Sequence, residues 1–271
     1  MARNHGTGTQ EKSLEMKIGI LGCGWLGKKL AQCLLADAHE VYTSNTRASK
    51  AQELVHMGCQ SYVVDFLSDD IDMEIAQTFQ SLDYIVMSVA VSRRAAIERQ
   101  EKMFGQVIQF LEGYVGNTVL FTTTGIYPQE NQRIKENTYR DNQLHPTVRT
   151  VEKIIQGGLP QTNILRLSGL LGADRIMSHW FHEVSQISNP DDPVNHVHYE
   201  DVIAIVKKLM QSDIRGDIFN VTAPEHPTKK EVFLGKSTQI THASKHRIID
   251  GSKLENKLPY TYIHQDPIHF K

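Results

Sequence analysis

The residues best equipped for chemistry stand near the start of the chain. The run Lys17-Ile-Gly-Ile-Leu-Gly-Cys-Gly-Trp-Leu-Gly-Lys-Lys-Leu30 passes from an apolar, β-type stretch into a helical one. Its turn spells Gly-x-Gly-x-x-Gly, from Gly22, Cys23 and Gly24 through Trp25 and Leu26 to Gly27. At that spacing Gly22 permits a tight turn, Gly24 lets the backbone approach a pyrophosphate, and Gly27 lets the helix pack closely on the strand. The helix start offers unpaired N–H groups and a positive dipole end to phosphates. The pattern, set between a strand and a helix, predicts a dinucleotide site; a structural turn is the alternative.

The second β-type segment bears on which dinucleotide is held. It reads Val41-Tyr-Thr-Ser-Asn-Thr-Arg47, with no carboxylate of the kind that binds the ribose hydroxyls of NAD. Ser44, Asn45 and Thr46 are of the type that donates hydrogen bonds to a 2′-phosphate, and Arg47 of the type that pairs with one. NADP is therefore expected ahead of NAD, the alternative being that Arg47 is a solvated loop residue. In the same scheme Asp65 meets the adenine edge, and Ser88, Val89 and Ala90 run beside the nicotinamide half.

Holding these groups requires a parallel sheet. Strand-like runs fall at 18–21, 40–43, 61–64, 84–87, 119–122 and 163–167, with helical stretches such as 26–35, 49–57, 95–112 and 148–157 between them. That alternation predicts a Rossmann-like α/β fold, a doubly wound parallel sheet with helices on both faces. After about residue 170 the rhythm loosens. Helices are expected over 200–211, 228–236 and 253–258, and strands over 217–221 and 247–249, with Thr228 and Glu231 forming a capping box. The organisation expected is a loose tail at 1–15, a dinucleotide-binding domain at 16–170, and a smaller α/β substrate lobe at 171–271 interlaced with it.

Composition narrows the partners. The 271 residues are 40% hydrophobic and 22% charged, which suits a globular chain rather than a disordered one. A net charge of −2 gives no electrostatic reason for a nucleic-acid partner, so a small-molecule substrate is expected. No stretch reaches the roughly 18 apolar residues that span a bilayer, and no membrane partner is expected. Cys23, Cys33 and Cys59 lack metal-type spacing and read as reduced thiols in a cytoplasmic setting.

Four further segments carry a family resemblance. Phe121-Thr-Thr-Thr-Gly-Ile-Tyr-Pro128 is similar to the Ser-Ser-Thr-Gly-Val-Tyr-Gly run of the extended short-chain dehydrogenase/reductases, the NAD(P)-dependent epimerase/dehydratase group. Ile164-Leu-Arg-Leu-Ser-Gly-Leu-Leu-Gly172, Val194-Asn-His-Val-His-Tyr-Glu-Asp-Val202 and Gly216-Asp-Ile-Phe-Asn-Val221 resemble later segments of that group, in the right order. The resemblance implies an oxidoreductase or epimerase/dehydratase-like enzyme acting on a small polar or nucleotide-linked substrate. A homodimer through a four-helix contact is implied by analogy alone. Two features depart from the pattern. The phosphate loop is the tighter Gly-x-Gly-x-x-Gly, and the catalytic Tyr-x-x-x-Lys pair is missing. By spacing, Thr147 falls where the Tyr belongs and Val151 where the Lys belongs. A Thr hydroxyl is no general acid near neutral pH, so the chain resembles the atypical members of the superfamily.

The remaining candidates are Thr123, Tyr127 and His145. Thr123 matches the family Ser that hydrogen-bonds the reacting oxygen, or else satisfies backbone groups at a strand end. Tyr127 is the nearest phenol and a substitute acid, or else a packed ring with a bonded hydroxyl. His145 titrates in the useful range, and Arg149 beside it is of the type that holds an anion, unless both simply face solvent at a helix start. Arg166 matches a residue whose role in the family is largely structural. His179, His182, His196 and His198 invite zinc, with Glu183 or Asp201, but nothing makes the pairs converge, and no metal is expected. Trp180 and Phe181 face either the core or the substrate cleft.

Two other readings stand beside the enzyme. Asn45-Thr-Arg-Ala-Ser-Lys-Ala51 resembles a segment of the β-hydroxyacid dehydrogenases, although those end in a long all-helical domain. A non-catalytic sensor or scaffold would keep the phosphate loop and lose the Tyr and Lys, with occupancy biasing a partner interaction.

Overall fold

A computed structural model describes residues 15–237 and 246–270. The first half alternates β1 (Lys17–Leu21), α1 (Trp25–Ala36), β2 (Glu40–Asn45), α2 (Ala48–His56), β3 (Gln60–Val63), α3 (Met73–Gln80), β4 (Tyr84–Met87), α4 (Ile97–Phe110) and β5 (Asn117–Thr123). There follow β6 (Arg133–Ile134), α5 (Pro146–Gly158), β7 (Asn163–Leu167), β8 (Gly169–Leu171), β9 (His196–His198), α6 (Tyr199–Met210) and β10 (Ile218–Val221). The last elements are α7 (Lys229–Leu234), β11 (Ile248–Ile249) and α8 (Ser252–Lys257). Seven strands form one parallel sheet in the order β10-β7-β5-β4-β1-β2-β3.

Strand β1 shows why helices must cover both faces. Ile18 and Ile20 point into one apolar cluster with Leu26, Leu30 and Leu34 of α1 and Ile205 and Leu209 of α6. Gly19 faces the other way, where an added Cβ would meet Leu82 Cδ1 at 2.9 Å and Phe79 Cδ1 at 3.0 Å. That second cluster holds Phe79, Phe104, Phe110 and Ile155 of α3, α4 and α5. Buried on both sides, the strands are apolar runs rather than alternating ones. Helix α3 was missing from the stretches named on sequence; the Asp72 carboxylate caps it by accepting from Glu74 N and Ile75 N.

The later elements return to the main sheet. β10 pairs in parallel with β7, from Ile218 beside Ile164 to Val221 beside Leu167. Two small parallel pairs, β8 with β9 and β11 with β6, lie beyond the carboxyl ends of the main strands. Helix α7 carries the expected capping box: Glu231 N donates to Thr228 Oγ1 at 3.1 Å, and Thr228 N donates to Glu231 Oε2 at 2.8 Å. The tail expected at 1–15 lies, apart from Glu15, outside the described residues. Among the described residues no helix is long and apolar enough to cross a membrane.

Candidate functional site

The phosphate loop is stitched to the end of β2. Gly22 N donates to Ser44 Oγ at 3.1 Å, Cys23 N donates to Ser44 O at 2.8 Å, and Asn45 Nδ2 donates to Cys23 O at 2.9 Å. Gly22 has φ +73°, and a Cβ there would lie 2.8 Å from Val89 Cα, so both the turn and the neighbouring strand end demand glycine. A Cβ on Gly27 would come within 3.2 Å of Ile20 Cγ2, which is the close helix–strand packing expected. At Gly24 the nearest atom is Gly22 O at 3.9 Å, so the backbone there borders open space. The first turn of α1 carries no acidic residue and no side-chain cap. The loop therefore fits a dinucleotide pyrophosphate: the chain is tight where it must turn, open where phosphate would approach, and the first turn of α1 itself adds no like charge.

This stitching alters the roles expected at β2. The Ser44 hydroxyl is buried and accepts from the loop, and Asn45 spends its amide on Cys23 O and its oxygen on Arg47 N. Both side chains therefore shape the phosphate loop. Thr46 and Arg47 are exposed at the strand end. Asp65 is exposed, with Oδ1 accepting from Leu67 N at 2.9 Å. Ser88 N donates to Leu21 O at 2.8 Å, and Val89 packs against Gly22, so the 88–90 segment abuts the loop, with Ala90 exposed.

At the end of β5 the catalytic candidates separate. The buried face of α5 is Thr147, Val148, Val151, Glu152 and Ile155, so the positions of the missing Tyr and Lys are filled by packing. Tyr127 is equally withdrawn, at 1% exposure. Its hydroxyl donates to Asn220 Oδ1 at 2.7 Å and accepts from Arg166 Nη1 at 2.8 Å. Burial pushes the phenol up to about 12, against the pull of Arg166. Arg166 in turn grips Glu152, Nε to Oε1 at 2.8 Å and Nη2 to Oε2 at 2.6 Å, which keeps the guanidinium charged despite burial. Tyr127 is thus a packed ring with a bonded hydroxyl and not a cleft acid. Arg166 is held within the core by these bonds. Arg149 is committed too, to Asp141 at 3.0 and 3.2 Å and Gln156 at 2.9 Å.

Thr123 and His145 both border the turn that follows β5, where His145 N donates to Ile126 O at 2.8 Å. Thr123 Oγ1 accepts from Gly125 N at 3.0 Å, which leaves its own proton to donate. His145 precedes α5, where burial and then the charge of Arg93 lower its pKa, so the ring is neutral near pH 7. A Cβ on Gly125 would lie 2.9 Å from Arg93 Cδ, so Arg93 folds over this turn. Motif comparison gave Arg93 no signal, because it sits in a loop without regular spacing.

A cleft of about 530 Å³ opens beside Thr124 and Gly125. Trp180, Phe181 and His196 line it, with Lys229 and Arg247 supplying positive charge. Trp180 and Phe181 therefore face the cleft rather than the core. Arg247 anchors the turn by donating to Thr124 O at 3.0 Å and Pro128 O at 3.1 Å. The four histidines considered for zinc do not form one cluster: His179 is exposed, His196 lines the cleft, and His198 stacks on His264 at 3.7 Å. His264 Nε2 lies 2.6 Å from Glu200 Oε2, and the ligand-type atoms of His198, Glu200 and His264 fall within 4.8 Å of one another. Asp201 is spent elsewhere, accepting from Tyr260 Oη at 2.5 Å, Ile263 N at 2.6 Å and His264 N at 3.1 Å.

Residues 17–146 match the family model described as the NAD binding domain of 6-phosphogluconate dehydrogenase. Protein YeeZ of Escherichia coli strain K12 is 28% identical over 278 aligned positions, 93% of this chain and 97% of its own. Among solved structures, a chain from Methylobacillus flagellatus assigned to the NAD-dependent epimerase/dehydratases superposes with TM-score 0.74 at 22% identity, covering 93% of this chain and 94% of that one. The Bordetella bronchiseptica enzyme WbmG, in complex with NAD and UDP, gives TM-score 0.72 at 17% identity, covering 95% and 92%. The all-helical ending of the β-hydroxyacid dehydrogenases is not shared, since β7 and β10 extend the sheet beyond the matched region. The chain has the α/β fold of the extended short-chain dehydrogenase/reductases, the NAD-dependent epimerase/dehydratase group, and its first half is a Rossmann domain of the NAD-binding type.

Proposed function

We propose that this chain binds NAD(P), with NADP preferred, and acts as an atypical oxidoreductase or epimerase/dehydratase-like enzyme on a small polar or nucleotide-linked substrate. The carrying observation is topological: the open backbone at Gly24 and the cleft at Thr124–Gly125 follow the carboxyl ends of β1 and β5, parallel strands separated in the sheet by β4 alone. Bound along these strand ends, the dinucleotide would supply hydride exchange. The proposal assigns the loop 22–27 to the pyrophosphate, Thr46 and Arg47 to the 2′-phosphate, Asp65 to the adenine edge and residues 88–90 to the nicotinamide side. Thr123 would donate a hydrogen bond to a substrate oxygen, and neutral His145 would accept a proton. Lys229 and Arg247 would favour an anionic group on the substrate. A cytoplasmic location and a homodimer belong to the same proposal.

A sensor or scaffold reading is favoured by one observation, the packing of Tyr127, Thr147 and Val151 out of reach of any substrate. Titration with NADPH and NADH, followed by a screen of aldehydes, ketones and sugar nucleotides, separates the two. Turnover that Thr123→Val abolishes supports the enzyme. Tight binding without turnover supports the sensor, and absence of binding by either dinucleotide sinks both.

A further inference from the structure

One turn of the second lobe closes on the phosphate loop. Gly172 and Arg175 pair backbone to backbone, Gly172 N to Arg175 O at 2.9 Å and Arg175 N to Gly172 O at 3.1 Å. Between them Ala173 has φ +55°, a left-handed conformation that alanine adopts only at a cost. Gly172 has φ +109°, and a Cβ there would lie 2.2 Å from His198 Nε2. The chain is held in this tight form by its surroundings.

Two side chains of the turn take hold of Trp25, the first residue of α1. Asp174 Oδ1 accepts from Trp25 Nε1 at 2.8 Å, and the Arg175 guanidinium stacks over the indole at 4.0 Å. Tyr199 meets the indole edge-on at 5.6 Å. Asp174 is occupied by that hydrogen bond, and among the described residues no carboxylate forms an ion pair with Arg175. A planar cation, seated on an aromatic face, in no ion pair and sensed at a distance only by the neighbouring Asp174 carboxylate, is therefore delivered to the residue that opens the phosphate-binding helix. A dinucleotide diphosphate brings two negative charges, whereas a helix end supplies roughly half a positive one. Guanidinium is the side chain whose fork matches phosphate oxygens.

We propose that Arg175 is a diphosphate-binding residue of the dinucleotide site, positioned by Asp174 and Trp25, so that the second lobe completes the site of the first. This rests on the dinucleotide reading above. The test is calorimetric titration of the full chain with NADH, NADPH, ADP-ribose and adenosine, and in a separate arm with a UDP-sugar, with Trp emission in a Trp180→Phe background reporting on Trp25. Arg175→Met should weaken the three diphosphate ligands alike by about tenfold or more, with adenosine unchanged and Arg175→Lys recovering part of the loss. Trp25→Leu should weaken the same three ligands, and adding Arg175→Met should cost less than the two losses combined.

Wild-type affinity in Arg175→Met, while Gly24→Val abolishes binding, overturns the proposal and leaves the dinucleotide reading standing. Loss for a sugar nucleotide but not for NADH assigns Arg175 to the substrate and also overturns it. No binding by the wild-type chain removes both.

Discussion

Beyond the carboxyl end of β1 the backbone borders open space, while beyond that of β5 the side chains have closed on one another. Around Gly24 nothing lies nearer than 3.9 Å to an added Cβ, and three hydrogen bonds from or to β2 hold the loop in that shape. Around Tyr127 every polar group is spent: phenol on Asn220, guanidinium on Glu152, and the Asn220 amide on Asp250 O at 3.1 Å and Ile134 O at 3.3 Å. One region keeps the vacancy a ligand needs. The other has packed its polar groups into core, and a shared fold does not by itself carry shared chemistry.

The largest effect should come from filling the open end. Gly22→Val places its Cβ against the Val89 backbone at a φ of +73°. It should abolish dinucleotide binding and lower the Tm, as read by titration and thermal melting. Wild-type affinity in this variant would break the assignment of the loop. At the closed end the corresponding change is Arg166→Met, which takes the closer of its two cations from buried Glu152 and leaves only Arg149 Nη1 at 3.5 Å. That should cost about 3–5 kcal/mol in urea unfolding, as removal of one partner of a buried ion pair does. Tyr127→Phe, which takes the hydroxyl from Arg166 and Asn220, should cost about 1–3 kcal/mol and leave dinucleotide affinity unchanged. Turnover lost at full stability in Tyr127→Phe would show that the phenol is catalytic after all.

The closed character extends into the cleft wall at His196. Burial pushes its imidazole down to about 4, with His226 and Lys229 adding to the shift, and its Nδ1 has no partner among the described residues. Because the folded pKa lies below the unfolded value of about 6.5, the stability tied to the neutral ring is complete above pH 6.5. It is lost as the pH falls toward 4, where the unfolded chain binds the extra proton. Unfolding at pH 7 and pH 5 should show a drop that His196→Asn reduces. An equal drop in both proteins would mean that the ring is not held neutral by its surroundings.

How far the sequence could be read follows the same divide. The loop and its sheet were legible because glycine spacing and apolar runs are local signals, and β4 and β7 fall at 84–87 and 163–167 as expected. The roles of Ser44 and Asn45 were not, since a hydroxyl or amide at a strand end reads the same whether it faces a ligand or its own backbone. Tyr127 failed for a related reason. Its partners Arg166 and Asn220 lie 39 and 93 residues away, and no spacing rule brings them together. Arg175 was invisible because its place depends on an alanine in a left-handed conformation.

The smallest effect expected is the one that sharpens the open end. Under the proposed NADP preference, with Ser44 and Asn45 hydrogen-bonded to the loop, a 2′-phosphate would be met by Thr46 and Arg47, both exposed. Solvent weakens an exposed charge pair, so the contribution of Arg47 is bounded. Arg47→Ala should weaken NADPH by about tenfold, or about 1.4 kcal/mol, and leave NADH within a factor of about two. Because the contact is ionic, the gap between the two dinucleotides should shrink as salt rises and screening shortens. If Arg47→Ala weakens both equally, its charge acts on the shared diphosphate, and NADP preference loses its structural ground.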